Sequence, residues 1–496
     1  MGLKAYAAKW LAKREVAGIK KWSDHPLEQQ EKTFSYLKRV LASTSFGKEH
    51  GITNALSYAQ WKEAVPVRDY EQLRPWVDQV VHGEADVLWK GKPAYLCKTS
   101  GTTSGVKYIP MSKEGIDAQI KAARSALMCY IHASGNASFV DGKMMFLQGS
   151  PKLETKHGIE VGRLSGIVAH HVPQYLQTNR LPSWQVNRME DWEKKVDAIV
   201  DETKSKDLRL ISGIPPWVQM YFERMLAQTE KESIKAVFPN LSLFVHGGVN
   251  YAPYKQRLEQ LIGDSIDTIE TYPASEGFIA YQDDYRSEGL LLNLDAGIFY
   301  EFIPLDQIHA EHPDRLRLDQ VELNKQYAIV LNTSSGLWGY LIGDTVKFIS
   351  KDPYRIVVSG RIKHFISAFG EHVIAEEVEN AMTRVCAMEG RSIQEFHVAP
   401  QVSPAEGLPY HEWLIESDET LSANFAKELD RIMRELNPYY DDLIEGKVLQ
   451  ALKTTIVPRG AFNAYMKSQG KLGGQNKLPR LSNDRAIAEK ILSTMV

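Results

Sequence analysis

Apolar positions along the chain follow two spacings, helical and alternating, and their succession predicts an α/β protein. Over residues 3–22, Leu3, Tyr6, Ala7, Trp10 and Leu11 recur at helical intervals, with Lys4, Lys9, Lys13, Arg14, Lys20 and Lys21 around them. Such a stripe docks on the protein's own core or lies on a membrane surface, and the core is the ordinary expectation. Helical spacing persists through about residue 50. The apolar run 94–97 then reads as a strand, and Ser112 is placed to cap the next helix. Further helices are predicted over 188–204 and 216–230, and buried strands over 241–245 and 266–271. These strands end in glycine-bearing polar turns, His246-Gly247-Gly248 and Tyr272 through Gly277, and open α/β sheets bind ligands beyond such carboxyl ends. Strand-like runs dominate from 290 to 359, predicting an antiparallel or barrel-like section, and helices return after Glu371. The break in pattern at 359–363 predicts a domain boundary.

Residues 99–110 read TSGTTSGVKYIP. Gly101 and Gly105 let the backbone approach a ligand closely, so successive N–H groups can share one concavity rimmed by the hydroxyls of Thr99, Ser100, Thr102 and Thr103. Such a loop suits phosphate, although an ordinary polar turn has the same composition. It is not a Walker A loop, because Lys107 does not directly follow the second glycine.

A chain of 496 residues exceeds one ordinary core, so two or three domains are expected. Lys and Arg number 59 against 62 Asp and Glu, with no basic stripe interleaved with aromatics, which argues against nucleic acid as a partner. Cys97, Cys129 and Cys386 have neither disulfide-framework nor zinc spacing. The chain lacks an apolar stretch of about eighteen residues and a secretory leader, so a cytoplasmic protein without stable membrane insertion is expected. Tyr6 stands where N-myristoylation requires Ser or Thr.

Further clusters carry chemistry. In the 272–277 turn, Ser275 and Glu276 have the donor set for Mg²⁺ with nucleotide phosphate, and the ring of Tyr272 can stack on a purine or pack on its neighbours. In GLWGYLIGDTV, 336–346, Asp344 is expected in a turn, where one carboxylate can accept both hydroxyls of a ribose. Gly360-Arg361 and the acidic helix beginning near Glu376 follow, and 470–480 is a glycine-rich basic loop containing Lys471 and Lys477.

Taken in order, these segments resemble the core motifs of the adenylate-forming superfamily of acyl-CoA synthetases, luciferases and peptide-synthetase adenylation domains. The short motif Lys477-Leu478-Pro479-Arg480, the early Val65-Pro66-Val67-Arg68-Asp69-Tyr70 with Gly83, and the helical N-terminus are closer still to the Gretchen Hagen family of acyl-acid amido synthetases. Gly339 and Leu341 stand where plant members usually carry arginines, which suggests a bacterial-type member whose substrates need not be plant hormones.

The resemblance implies a large N-terminal domain, 1–361, of layered α/β sheets with a β-rich barrel-like subdomain. A small mobile C-terminal α+β domain, 362–496, carries the catalytic lysine. It also implies ATP and Mg²⁺ as cofactors, and a carboxylic acid and an amine as small-molecule partners. The acid is adenylated with release of pyrophosphate, and the acyl group then passes to an amino acid or other amine with release of AMP. An acyl-CoA ligase shares the first step and is the alternative. In this scheme Ser100, Gly101, Thr102, Thr103, Ser104 and Lys107 hold phosphates. Gly247, Gly248 and Tyr272 flank adenine, Ser275 lies near the α-phosphate, and Asp344 and Arg361 hold ribose. Glu276 holds the metal, and Lys477 neutralises the transferring phosphate. His170, His171, Trp217, Tyr221 and His246 are candidates to line the acyl pocket, with His246 either a base for the amine or a structural residue.

Overall fold

A computed structural model describes residues 2–100, 106–172, 177–189, 192–248, 251–308, 310, 312–362, 365–366, 368, 373–422, 424–445, 448–471, 478–482 and 484–493. The chain divides into two compact units, one of residues 1–249 with 260–358, the other of 250–259 with 359–496.

The larger unit is built on one eleven-stranded sheet among the described residues. Its order is Ile298–Pro304, Gln326–Thr333, Tyr340–Lys351, Tyr354–Arg361, Leu290–Leu292, Gly277–Tyr281, Asp267–Ala274, Leu243–Gly247, Leu208–Ser212, Lys143–Phe146 and Arg180–Leu181. The strands from Asp267–Ala274 through Arg180–Leu181 pair in parallel, as buried α/β strands do. The β-rich stretch after 290 continues this sheet with antiparallel pairings instead of starting another. A second sheet of four strands contains the hairpin Tyr95–Ser100 and Val106–Met111, with Ile159–Gly162 parallel to its first strand.

Three boundaries differ from the sequence expectation. The strand expected over 241–245 is Leu243–Gly247, so His246 and Gly247 lie within it. The strand expected to stop at 271 runs to Ala274 and turns back at Gly277, which places Tyr272 in the strand and leaves Ser275 and Glu276 as the hairpin turn. Asp344 lies inside the strand Tyr340–Lys351 and not in a turn, where the pairing register slips between Ala328 and Val330. A glycine-flanked acid reads as a turn in sequence, but a bulge also accommodates it.

Ser112 caps the helix Lys113–Ser134 as expected, its hydroxyl accepting from Gly115 N–H at 2.9 Å. The helix expected over 188–204 is Trp192–Thr203, preceded by the separate turn Trp184–Asn187. The N-terminal helix Leu3–Ser23 forms, but it buries a different face from the one expected. Ala5, Ala8, Ala12 and Ile19 are covered, whereas Tyr6, Trp10 and Leu11 are 74, 61 and 49% exposed. The buried alanines share a core cluster with Ala122 and Ala126 of the helix Lys113–Ser134. Small side chains let two helices approach closely, which bulky aromatics at the same positions would prevent.

The smaller unit packs the helices Ala375–Glu389 and Phe425–Leu436 with a three-stranded sheet, Phe396–Gln401, Tyr410–Glu416 and Lys453–Val457. Its last segment is anchored at Leu481, which is fully buried and bridges to Val398. Arg480 lies between Glu379 and Glu395, at 3.3 and 3.0 Å.

Candidate functional site

Segments far apart in sequence meet beside the hairpin of Tyr95–Ser100 and Val106–Met111. Tyr272, at the carboxyl end of its strand, donates its hydroxyl to Asp344 Oδ2 at 2.5 Å, and both side chains are buried. The aromatic residue of one strand and the acidic residue of another thus form a single hydrogen-bonded unit. Beside it, Tyr340 donates to Glu276 Oε1 at 3.4 Å. Burial first and the Glu276 charge second hold the Tyr340 phenol well above its ordinary range, so it remains a proton donor. Cys97, in the first hairpin strand, is fully buried, and its thiol is pushed up first by burial and then by the charge of Glu276, while Ser275 opposes this by hydrogen bonding. The strand Tyr95–Ser100 therefore lies beside the Ser275-Glu276 turn.

The segment 65–70 locks these parts in register. Arg68 N–H donates to Gly339 O at 2.9 Å and Leu341 N–H donates to Arg68 O at 2.8 Å, while the Tyr70 hydroxyl accepts from Tyr108 N–H at 2.9 Å. Gly339 has φ +56°, and a Cβ there would stand 2.6 Å from Pro66 O, so this crossing admits no arginine at 339. The helix Lys113–Ser134 supplies two further supports that sequence reasoning missed. Gln119 Nε2 donates to Ala274 O at 2.7 Å, and Ser112 Oγ donates to Ser334 O at 2.6 Å. Gln119 had a sequence signal, because it occupies a buried position in helical register with Ile116 and Ala122. A narrow crevice between these elements is lined by Gly115, Gln119, Ser275, Glu276, Thr333 and Ser335, among others.

Lys107 follows the loop in the hairpin's second strand, paired with Thr99, and its ammonium sits 5.2 Å over the ring of Tyr70. Ser100 ends the first strand and Arg361 ends Tyr354–Arg361; the side chains of both lie outside the described residues. Gly101, Thr102, Thr103, Ser104 and Lys477 also lie outside them. Gly247 passes so close to the next strand that a Cβ would stand 2.1 Å from Thr271 O, whereas Gly248 has φ +82°.

Among the acyl-pocket candidates, Tyr221 is a core residue, fully buried with its hydroxyl 2.7 Å from Thr203 Oγ1. His170 Nε2 lies 2.8 Å from Pro151 O, and His171 Nε2 lies 2.9 Å from Tyr95 OH at the start of the hairpin. Trp217 is buried in a small cluster with Val196. His246 is buried against Phe244, and burial pulls its pKa down to about 4.

The described residues hold no group of three or more His, Cys, Asp or Glu placed to bind a metal ion. Glu276 with the adjacent Ser275 fits Mg²⁺ in the way triphosphate enzymes use it, with most ligands supplied by phosphate and water.

Models of the GH3 family N-terminal, central and C-terminal domains match residues 16–195, 291–361 and 376–486. The chain is 21% identical to the jasmonoyl–L-amino acid synthetase JAR4 of Nicotiana attenuata, over 91% of this chain and 90% of that protein. It is 20% identical to the indole-3-acetic acid-amido synthetase GH3.3 of Arabidopsis thaliana, over 94 and 91%. The fold superposes on the AtGH3.15 acyl acid amido synthetase in complex with 2,4-DB with a TM-score of 0.81, at 14% identity over 97 and 96% of the chains. A 2-hydroxyisobutyryl-CoA ligase in the postadenylation state gives a TM-score of 0.59 at 13% identity, over 94 and 90%. With all three domain models aligned in order along the chain, the protein belongs to the GH3 family of acyl-acid amido synthetases.

Proposed function

We propose that the junction of the phosphate-loop hairpin, the Ser275-Glu276 turn and the Asp344 strand is the adenylation site. The observation that carries this is the Tyr272–Asp344 hydrogen bond beside Glu276, which joins an acidic acceptor, an aromatic face and a second carboxylate next to the phosphate loop. A carboxylate oxygen of the acid attacks the α-phosphorus of ATP and the bond to pyrophosphate breaks. An amine nitrogen then attacks the acyl carbon, the bond to AMP breaks, and the nitrogen loses a proton. Activation is needed because oxide is a poor leaving group from a carboxylate, whereas AMP is a good one.

In this reading Asp344 accepts the ribose hydroxyls, with Tyr272 fixing its carboxylate. Tyr272, Gly247 and Gly248 flank adenine, and Arg361 adds a second ribose contact. Loop residues 100–104 and Lys107 receive the phosphates, and Ser275 sits near the α-phosphate. Glu276 would hold Mg²⁺, and the ion when bound would supply charge stabilisation for the leaving pyrophosphate. The small domain, 362–496, moves between half-reactions and delivers Lys477 for the first. The acid need not be a plant hormone.

Incubation with ATP and a panel of carboxylates, read as acid-dependent pyrophosphate release, tests the first step. Product masses with amino acids and with CoA test the second. Amide products are expected, and thioester alone would make the chain a CoA ligase.

Two substitutions probe the site. Asp344→Asn is expected to weaken ATP binding about tenfold to a hundredfold, since a hydrogen bond to a charged group contributes roughly 1.5–3 kcal/mol. The amide oxygen can still accept from Tyr272, so the fold survives. An unchanged ATP dissociation constant by titration calorimetry would remove Asp344 from the ribose site. Glu276→Gln is expected to raise the Mg²⁺ concentration for half-maximal adenylation, because a neutral amide is a poorer ligand for a hard cation. Overlay of the two Mg²⁺ titration curves would make Glu276 a structural partner of Tyr340.

A further inference from the structure

The outward face of the N-terminal helix is unusual for a chain with a net charge of −3. Tyr6 and Trp10 are its two most exposed large apolar side chains, at 74 and 61%. They begin a line, Tyr6, Trp10, Lys13, Ala17 and Lys21, whose members are spaced by three or four residues and are all exposed. Arg14, Lys4 and Lys20 are exposed around it. The helix has a single acid, Glu15, which turns inward, where Ser125 donates to it at 2.7 Å and Arg124 lies at 3.5 Å. No carboxylate of the helix therefore offsets these cations. The GH3 N-terminal match begins at residue 16, within this helix.

We infer that the outward face of the helix Leu3–Ser23 is a docking surface for an anionic lipid bilayer. Trp and Tyr prefer the bilayer interface, where the ring is buried and the polar edge stays wet. Lys and Arg stems lie along the same boundary while their charges reach the headgroups. A convex helix presenting rings flanked by uncompensated cations matches a planar, deformable, negative surface. The inward face is already spent on the core, through Ala5, Ala8, Ala12 and Ile19, so docking leaves the fold as it is. Association of this kind is peripheral, and no helix among the described residues is long and apolar enough to cross a membrane.

The test is co-sedimentation of the full chain with phosphatidylcholine vesicles containing about 30 mol % phosphatidylserine, against vesicles of phosphatidylcholine alone. Binding at least about tenfold stronger to the anionic vesicles is expected, falling steeply with added salt. The double variant Tyr6→Ala, Trp10→Ala is expected to lose at least about tenfold of that binding, with its circular dichroism and vesicle-free pyrophosphate release unchanged. Lys13→Glu with Arg14→Glu is expected to abolish the preference for phosphatidylserine. Equal binding to both vesicle types, no binding to either, or undiminished binding by the double variant would overturn the proposal. Concentration-dependent self-association that the double variant loses, without vesicle binding, would reassign the face to a second copy of the chain.

Discussion

Replacing Lys477 by alanine is expected to slow acyl-adenylate formation by about a hundredfold or more while leaving amide formation from a supplied acyl-adenylate nearly intact. The first figure is the scale of loss when one preorganised charge-stabilising donor is removed from a transition state. The asymmetry follows from the proposed two-step cycle, since pyrophosphate has left before the amine attacks. Lys477 precedes by three residues the anchored Arg480, whose guanidinium is held by Glu379 and Glu395 in the same unit. The measurement is paired: acid-dependent pyrophosphate release, and amide yield from synthetic acyl-adenylate. Equal loss of both would indicate misfolding or a shared binding role, and loss of neither would transfer the role to another lysine, Lys471 first.

Arg315→Met is expected to destabilise the large unit by about 3–5 kcal/mol, a large share of the roughly 5–15 kcal/mol that holds an ordinary domain folded. Glu301 is fully buried and receives Arg315 at 2.5 Å, Tyr58 at 2.7 Å and Asn332 at 2.8 Å. Removing the guanidinium leaves a buried carboxylate with hydrogen bonds but no countercharge. The Arg315 contacts to Lys62 O and Val65 O are lost as well. Urea denaturation of both proteins measures the deficit, and a loss below about 1 kcal/mol would mean that this buried pair contributes no more than an exposed one.

The candidate site could be read in outline from the sequence because its residues sit in short local motifs. Glycines and hydroxyls cluster in the 99–105 loop, and Glu276 and Asp344 each stand beside a glycine. Local patterns cannot show which motifs touch. The contact between Tyr272 and Asp344, 72 positions apart, depends on the order of strands in the sheet. Gln119 and Tyr340 escaped notice for the same reason, since their partners are a backbone oxygen and a carboxylate brought by other elements.

The N-terminal helix draws the line most plainly. Periodicity alone predicted the helix and its basic character, because both depend on residues within a few turns of one another. It chose the wrong face to bury. Hydrophobicity ranks Trp10 and Tyr6 above alanine, yet close packing against the helix Lys113–Ser134 admits Ala5, Ala8 and Ala12 and leaves the rings outside. Sequence by itself determined the family, the α/β class and the cap at Ser112. Tertiary structure alone decided which side chains the motifs share, where the strands end and which helix face meets solvent, because these depend on steric fit between segments far apart in the chain.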